Sequence, residues 1–154
     1  MIFQGGNYMN SFKVKKVKPG AVIPKKAHTS DAGFDLYACL TVPIIISPGK
    51  YEKIPTGISI ALPDNTFGAI FARSGLATKQ GLRPANAVGV ADSGYRGEYI
   101  VALYNDSNTI QVINNGDRIA QLVVMPFVQC EFVEVDELDE TSRGAGGFGS
   151  TGAN

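Results

Sequence analysis

Apolar and polar positions alternate along this chain in short runs, and each run is closed by glycine, proline, asparagine or aspartate. "FKVKKV" (12–17) sets apolar residues against lysines. "VPIII" (42–46) runs into Ser47-Pro48-Gly49-Lys50, and "GISIAL" (57–62) places Ile58, Ile60 and Leu62 on one face before Pro63-Asp64-Asn65. "FGAIFA" (67–72), "EYIVALY" (98–104) and "TIQVI" (109–113) follow, the last stopped by Asn114-Asn115-Gly116-Asp117. "RIAQLVVMPFVQCEFVEV" (118–135) reads as one or two strands bent at Pro126. A period of two bounded by turn residues predicts strands. Only "GLATKQG" (75–81) has room for a helix, of about two turns. Short strands with almost no helix predict an all-β fold, a distorted jelly-roll-like barrel or sandwich. We expect an N-terminal extension over 1–11, the β domain over 12–136 and a flexible Gly-rich C-terminal arm over 137–154.

Composition narrows the function. A length of 154 residues suits one domain. Lys+Arg and Asp+Glu number 14 each, so the formal charge is zero, which argues against nucleic acid as the main partner. No apolar run reaches the ~18 residues of a membrane span. The start "MIFQGGNYMNSF" lacks a basic region ahead of an apolar core, so no signal peptide is expected. Met9 offers a second start, with residues 1–8 as an extension. Cys39 and Cys130 fit a reducing compartment and are expected in the core as small apolar groups. The expected location is cytoplasmic.

The single histidine, His28, is expected on a surface loop. One His and two separated Cys argue against a zinc site. A Ser-His-Asp triad would rest on His28 alone, so in a hydrolase the general base is expected to be a carboxylate.

Five polar segments interrupt or follow the strands, and each has two readings. In "AGFDLYA" (32–38), Asp35 taken alone reads as the wet face of a strand. In "ARSGLA" (72–77), Arg73, Ser74 and the Gly75 amide form a fork of donors suited to an anion. A helix cap by Ser74, with Arg73 on the surface, is equally open. In "NAVGVADSGYRGE" (86–98), Asp92 sits at a turn and Tyr95 follows; Asp-Ser-Gly is also ordinary turn chemistry. In "GDRIAQL" (116–122), Gln121 lies among apolar residues. In "RGAGGFGSTG" (143–152), Gly144, Gly146 and Gly149 imitate a dinucleotide fingerprint, but too few residues follow to form its helix, and no Lys makes it a Walker loop. This tail is either a frayed terminus or an arm whose Arg143, Ser150, Thr151 and Phe148 order over a phosphorylated ligand.

In this order and at these spacings the five segments resemble the motifs of the trimeric dUTPases, over roughly residues 12 to 152. The resemblance implies a homotrimer with three active sites, each built from all three subunits and closed by the C-terminal arm. It implies hydrolysis of dUTP to dUMP and pyrophosphate, which limits uracil in DNA and supplies dUMP for dTMP synthesis. It implies Mg²⁺, held mainly by phosphate oxygens and, indirectly through water, by Asp35. Asp92 matches the general base. Arg73, Ser74, Gly75 and Gln121 match phosphate-contacting residues, and Arg143, with Ser150 and Thr151, would reach the terminal phosphates. Phe148 would stack on the uracil. Asn86 would pair with the uracil edge, helped by backbone groups of residues 86–90, Val90 among them. Tyr95 would pack on the deoxyribose and leave no room for a 2′-hydroxyl. Ala91 stands where a larger aliphatic is usual, and Gly94 where many members carry a polar residue.

Two rivals share parts of this pattern. A dCTP deaminase-like enzyme of the same fold would carry a glutamate where this chain has Ala102 and a second Ser where it has Gly75. A non-catalytic nucleotide-binding β-trimer would have no reason to keep Asp92, Gln121 and the complete tail.

Overall fold

The computed structural model describes residues 11–147. Their strands are β1 (Lys13–Lys16), β2 (Phe34–Tyr37), β3 (Ile44–Ile46), β4 (Tyr51–Pro55), β5 (Ile58–Ala61), β6 (Thr66–Phe71), β7 (Leu82–Pro84), β8 (Gly89–Asp92), β9 (Ile100–Asn105), β10 (Gln111–Ile113) and β11 (Arg118–Pro126). One helix, α1 (Ser74–Gln80), lies between β6 and β7. All strand pairs are antiparallel, in sheets ordered β1-β5, β10-β3, β2-β11-β6-β8 and β4-β9-β7. The all-β, jelly-roll-like expectation holds, with sheets that stay open. No described helix is long and apolar enough to cross a membrane.

In β9 the alternation read from the sequence is the alternation of burial, whereas β5 also buries Ser59 between its two isoleucines. Val101, Leu103 and Asn105 of β9 point inward, and Ile58 and Ile60 do so from β5. Leu36, Ile46, Ile54 and Leu103 are fully buried. Each such side chain contributes about 1.5–3 kcal/mol relative to exposure. The buried Asn105 is fully used: its amide donates to the Ile46 and Thr109 carbonyls, and its Oδ1 accepts from Ser107.

Four strands, β2, β4, β7 and β8, lie outside the runs that the alternation picks out. The expected continuation beyond Pro126 is not a strand. β11 ends there, and residues 127–147 form none. This corrects the reading of Cys130, which is exposed, while Cys39 is buried as expected. Around Cys130, Val128, Phe132, Val133 and Leu138 are also open to solvent. The same segment carries Glu131, Glu134, Asp136, Glu137, Asp139 and Glu140, whereas Lys13, Lys15, Lys16, Lys18, Lys25 and Lys26 cluster at the other end of the chain. Beside those lysines lies an apolar groove of about 820 Å³, lined by Phe12, Val14, Ile23, Phe34, Leu122 and Val124 among others.

Candidate active site

Sheet register brings the first group of candidate residues together. Asp35 of β2 lies opposite Gln121 of β11, which lies opposite Phe71 at the end of β6. Arg73 follows two residues later and turns back onto Asp35. Its Nε donates to Asp35 Oδ1 at 2.8 Å, and Arg118 Nη1 donates to Asp35 Oδ2 at 3.2 Å. The Asp35 side chain is only 15% exposed, so it is no wet strand face but the hub of two ion pairs. Such a pairing fixes the Arg73 guanidinium. Its two terminal nitrogens have no hydrogen-bond partner among the described residues and remain free to grip an anion.

Helix α1 starts at the same spot. Arg73 is its N-cap residue, in extended geometry, and no side chain caps the helix, so Ser74 does not act as the cap. The first intrahelical bond runs from the Ala77 amide to the Arg73 carbonyl, leaving the amides of Ser74, Gly75 and Leu76 without helical partners. No acidic residue occupies the first turn. Arg73, Ser74, Gly75, Asp35, Arg118 and Gln121 line one cavity of about 440 Å³. Gln121 is seated in it by a bond from its Nε2 to the Ala72 carbonyl, at 2.8 Å. Gly33 makes that seat: a Cβ at this position would lie 2.6 Å from Gln121 Oε1.

A second group forms on β8 and its flanking loops. Before β8, Ala87 donates to the Pro84 carbonyl and Val88 to the Asn86 carbonyl, at 3.1 and 2.7 Å, with Ala87 at φ 61°. This tight turn leaves Asn86 and Val90 exposed. Asp92 ends β8 opposite Phe67 and is exposed. The Tyr95 amide closes the next turn onto the Asp92 carbonyl at 3.0 Å, and the Tyr95 hydroxyl donates to the Glu98 carbonyl at 3.0 Å. The Tyr95 ring lies 5.9 Å from that of Tyr99. Tyr99 is buried with no partner for its hydroxyl among the described residues. Burial above all, and Tyr95 beside it, push its pKa above the usual 10.0, against the pull of Arg96. Ala91 is buried opposite Gly68, so the small residue fits a narrow place, and Gly94 points into open space.

The two groups do not meet within one chain. Along β6, Phe67 (opposite Asp92) and Phe71 (opposite Gln121) are four residues apart, and β2 lies three strands from β8. At about 3.3 Å per residue and 4.8 Å per strand, Asp92 and Asp35 are roughly 20 Å apart. A general base works within about 3 Å of the proton it takes.

Arg143 is exposed, donates from Nε to the Gly146 carbonyl and does not line the cavity. Phe148, Ser150 and Thr151 lie outside the described residues. His28 is exposed on a loop, as expected. Arg118 is the residue that sequence reading passed over, although it sits in the same "GDRIAQL" segment as Gln121. Among the described residues no cluster of three or more His, Cys, Asp or Glu could cage a metal. Each Asp35 oxygen accepts one guanidinium bond and keeps a lone pair open.

A family model for dUTPase matches residues 20–152. The deoxyuridine 5'-triphosphate nucleotidohydrolase of Desulfitobacterium hafniense is 50% identical over 151 residues, covering 95% of this chain and 100% of the relative. That of Nocardia farcinica is 47% identical over 147 residues, covering 95% of this chain and 88% of the relative. Among solved structures, the dUTPase of Staphylococcus bacteriophage 80alpha with dUPNHPP is 27% identical, with a TM-score of 0.84 over 94% of this chain and 99% of that one. A mutant dUTPase of phage phi11 of S. aureus, in which a structural Mg(II) ion is coordinated, is 24% identical with a TM-score of 0.77, covering 85% of this chain and 100% of that one.

Proposed function

The chain belongs to the dUTPase family and is a dUTP diphosphatase; on that premise we propose that it uses Asp92 to activate water against the α-phosphorus, at a site shared between subunits of a homotrimer. One observation carries the shared site: the phosphate-suited cavity and the Asp92 loop are both built, yet stand roughly 20 Å apart in one chain. A neighbouring copy can bring its Asp92 and Tyr95 to the cavity of the first. Exposed Val128, Phe132, Val133 and Leu138 support assembly, because apolar side chains in such number call for cover. The apolar groove flanked by lysines complements that acidic segment in both charge and character.

In this site Arg73, the free amides of Ser74 and Gly75, and Gln121 hold the phosphate chain. Asp35 keeps Arg73 in place, and its open lone pairs would hold, through water, a Mg²⁺ bound with the nucleotide, which would neutralise charge on the leaving pyrophosphate. Asp92 takes a proton from water; the oxygen bonds to the α-phosphorus, the bond to the bridging oxygen breaks, and dUMP and pyrophosphate result. Asn86 and the backbone through Val90 read the uracil edge, where cytosine would leave buried groups mismatched. Tyr95 packs on the deoxyribose, and Arg143, Phe148, Ser150 and Thr151 close over the triphosphate. The reaction limits uracil in DNA and yields dUMP for dTMP synthesis.

The test is pyrophosphate release from dUTP with Mg²⁺, set against ammonia release from dCTP. Rapid pyrophosphate formation with no ammonia is expected; ammonia release would instead make the chain a deaminase. A second expected outcome concerns Gly33→Ala. The added methyl displaces only the tip of Gln121, so the fold and its melting temperature should hold. Gln121 loses its seat on Ala72, and KM for dUTP should rise roughly tenfold, the worth of about one hydrogen bond. Steady-state kinetics beside a melting curve check it.

A further inference from the structure

Tyr95 is exposed, and an exposed ring discriminates a sugar only if it is held still. The backbone of Tyr95 is held by Asp92 and Arg96, but the hydrogen bond at the tip of its ring runs to Glu98. The Tyr95 hydroxyl donates to the Glu98 carbonyl at 3.0 Å. The Glu98 side chain turns the other way: Oε1 accepts the Gly57 amide at 2.8 Å, and Oε2 pairs with Lys18 Nζ at 3.0 Å. With 18% exposure, this carboxylate is more sheltered than a surface pair.

Gly57 is a rigid anchor. It sits at φ 70°, and a Cβ there would lie 2.8 Å from both Ala21 Cβ and Cys39 Sγ. Its carbonyl accepts the amides of Val17 and Lys18 at 2.8 and 3.3 Å. The rest of the loop is tied to the same stretch. The Tyr99 amide donates to the Ile58 carbonyl, the Thr56 amide and hydroxyl to the Tyr99 carbonyl, and the Ser59 hydroxyl to the Arg96 carbonyl. Of these ties, the Glu98 carboxylate is the one whose own residue also receives the Tyr95 hydroxyl.

We propose that Glu98, clamped between the Gly57 amide and Lys18, is a positioning residue that fixes the Tyr95 ring and thereby sets discrimination between deoxyribose and ribose. Glu98 acts through Tyr95 and takes no part in the chemistry. The inference rests on the reading of Tyr95 as the sugar-packing residue. Truncating Glu98 leaves the Gly57 amide without its partner and removes the side-chain tie of residue 98, so its carbonyl, held then only through the bonds of Arg96 and Tyr99, shifts under the Tyr95 hydroxyl.

The experiment measures kcat/KM for dUTP and for UTP in the parent enzyme, Tyr95→Ala, Glu98→Ala and Glu98→Gln. Tyr95→Ala is expected to raise the UTP/dUTP ratio; an unchanged ratio there removes the sugar-gate reading itself. Glu98→Ala is expected to raise the ratio by at least about fivefold, since small misplacements in a site are felt strongly. Glu98→Gln keeps an acceptor for Gly57 and should stay within about twofold of the parent. If Tyr95→Ala shifts the ratio and Glu98→Ala only lowers the melting temperature, Glu98 is structural and the proposal falls. A Gln variant as permissive as Ala overturns the acceptor role. Glu98→Asp, one methylene short of Gly57, gives the same reading as Ala should Glu98→Ala fail to fold.

Discussion

Asp92→Asn is expected to lower turnover of dUTP by ~10²–10⁴-fold, the usual worth of a general base. The fold should not notice. Asp92 is held by its backbone, through the β6 register opposite Phe67 and the Tyr95 amide on its carbonyl, and its carboxylate has no hydrogen bond among the described residues. Asparagine has the same shape and cannot take the proton from water. Affinity for a non-hydrolysable dUTP analogue should therefore change little while single-turnover rates collapse. Near-parental rates would refute the assignment of Asp92 and point to a different base.

Deleting residues 143–154 is expected to be nearly as damaging, lowering kcat/KM by ~10²–10³-fold, the scale of losing a preorganised partner for transition-state charge. The described part of the arm joins no strand: Gly144 bonds to Thr141 and Gly146 to Arg143, all within the segment. Among the described residues, the last hydrogen bonds from this segment back to the body are those of Phe127 and Gln129, both to Asn65. Circular dichroism and melting temperature should accordingly match the parent. Mixing this deletion with Asp92→Asn chains, then unfolding and reassembling them, should restore part of the activity, because at the proposed shared site each supplies what the other lacks. Mixed trimers verified by mass that stay inactive would show that each chain builds its own site.

How far the sequence carried depends on the distance over which each feature is decided. β9 was readable because its burial follows the period of two, and β5 and β6 because they are apolar runs bounded by turns, although their buried residues run consecutively. β4 was not, since its first three residues, Tyr51, Glu52 and Lys53, are all exposed and it ends in proline. β7 is three residues with a proline, and β8 begins with glycine, both poor strand formers. The motifs named candidate residues, but the arrangement of those residues could not be read from them. Arg73 and Arg118 lie 38 and 83 positions from Asp35, and only the sheet brings them to it. Cys130 misled because an alternating apolar run predicts a buried face, whereas residues 127–147 form no strand to lay it on the core.

The opposite charges at the two ends of this neutral chain bear on how quickly the proposed oligomer would assemble. Copies that meet with the lysines of residues 13–26 facing the acids of residues 131–140 are drawn together before any apolar contact forms. That pull reaches only about 8 Å at physiological ionic strength. Added salt should slow reassembly from dilute chains while leaving the dissociation rate of the finished oligomer nearly untouched. Cells that raise their internal salt would then meet the consequence at the moment of synthesis, in newly made chains waiting for partners.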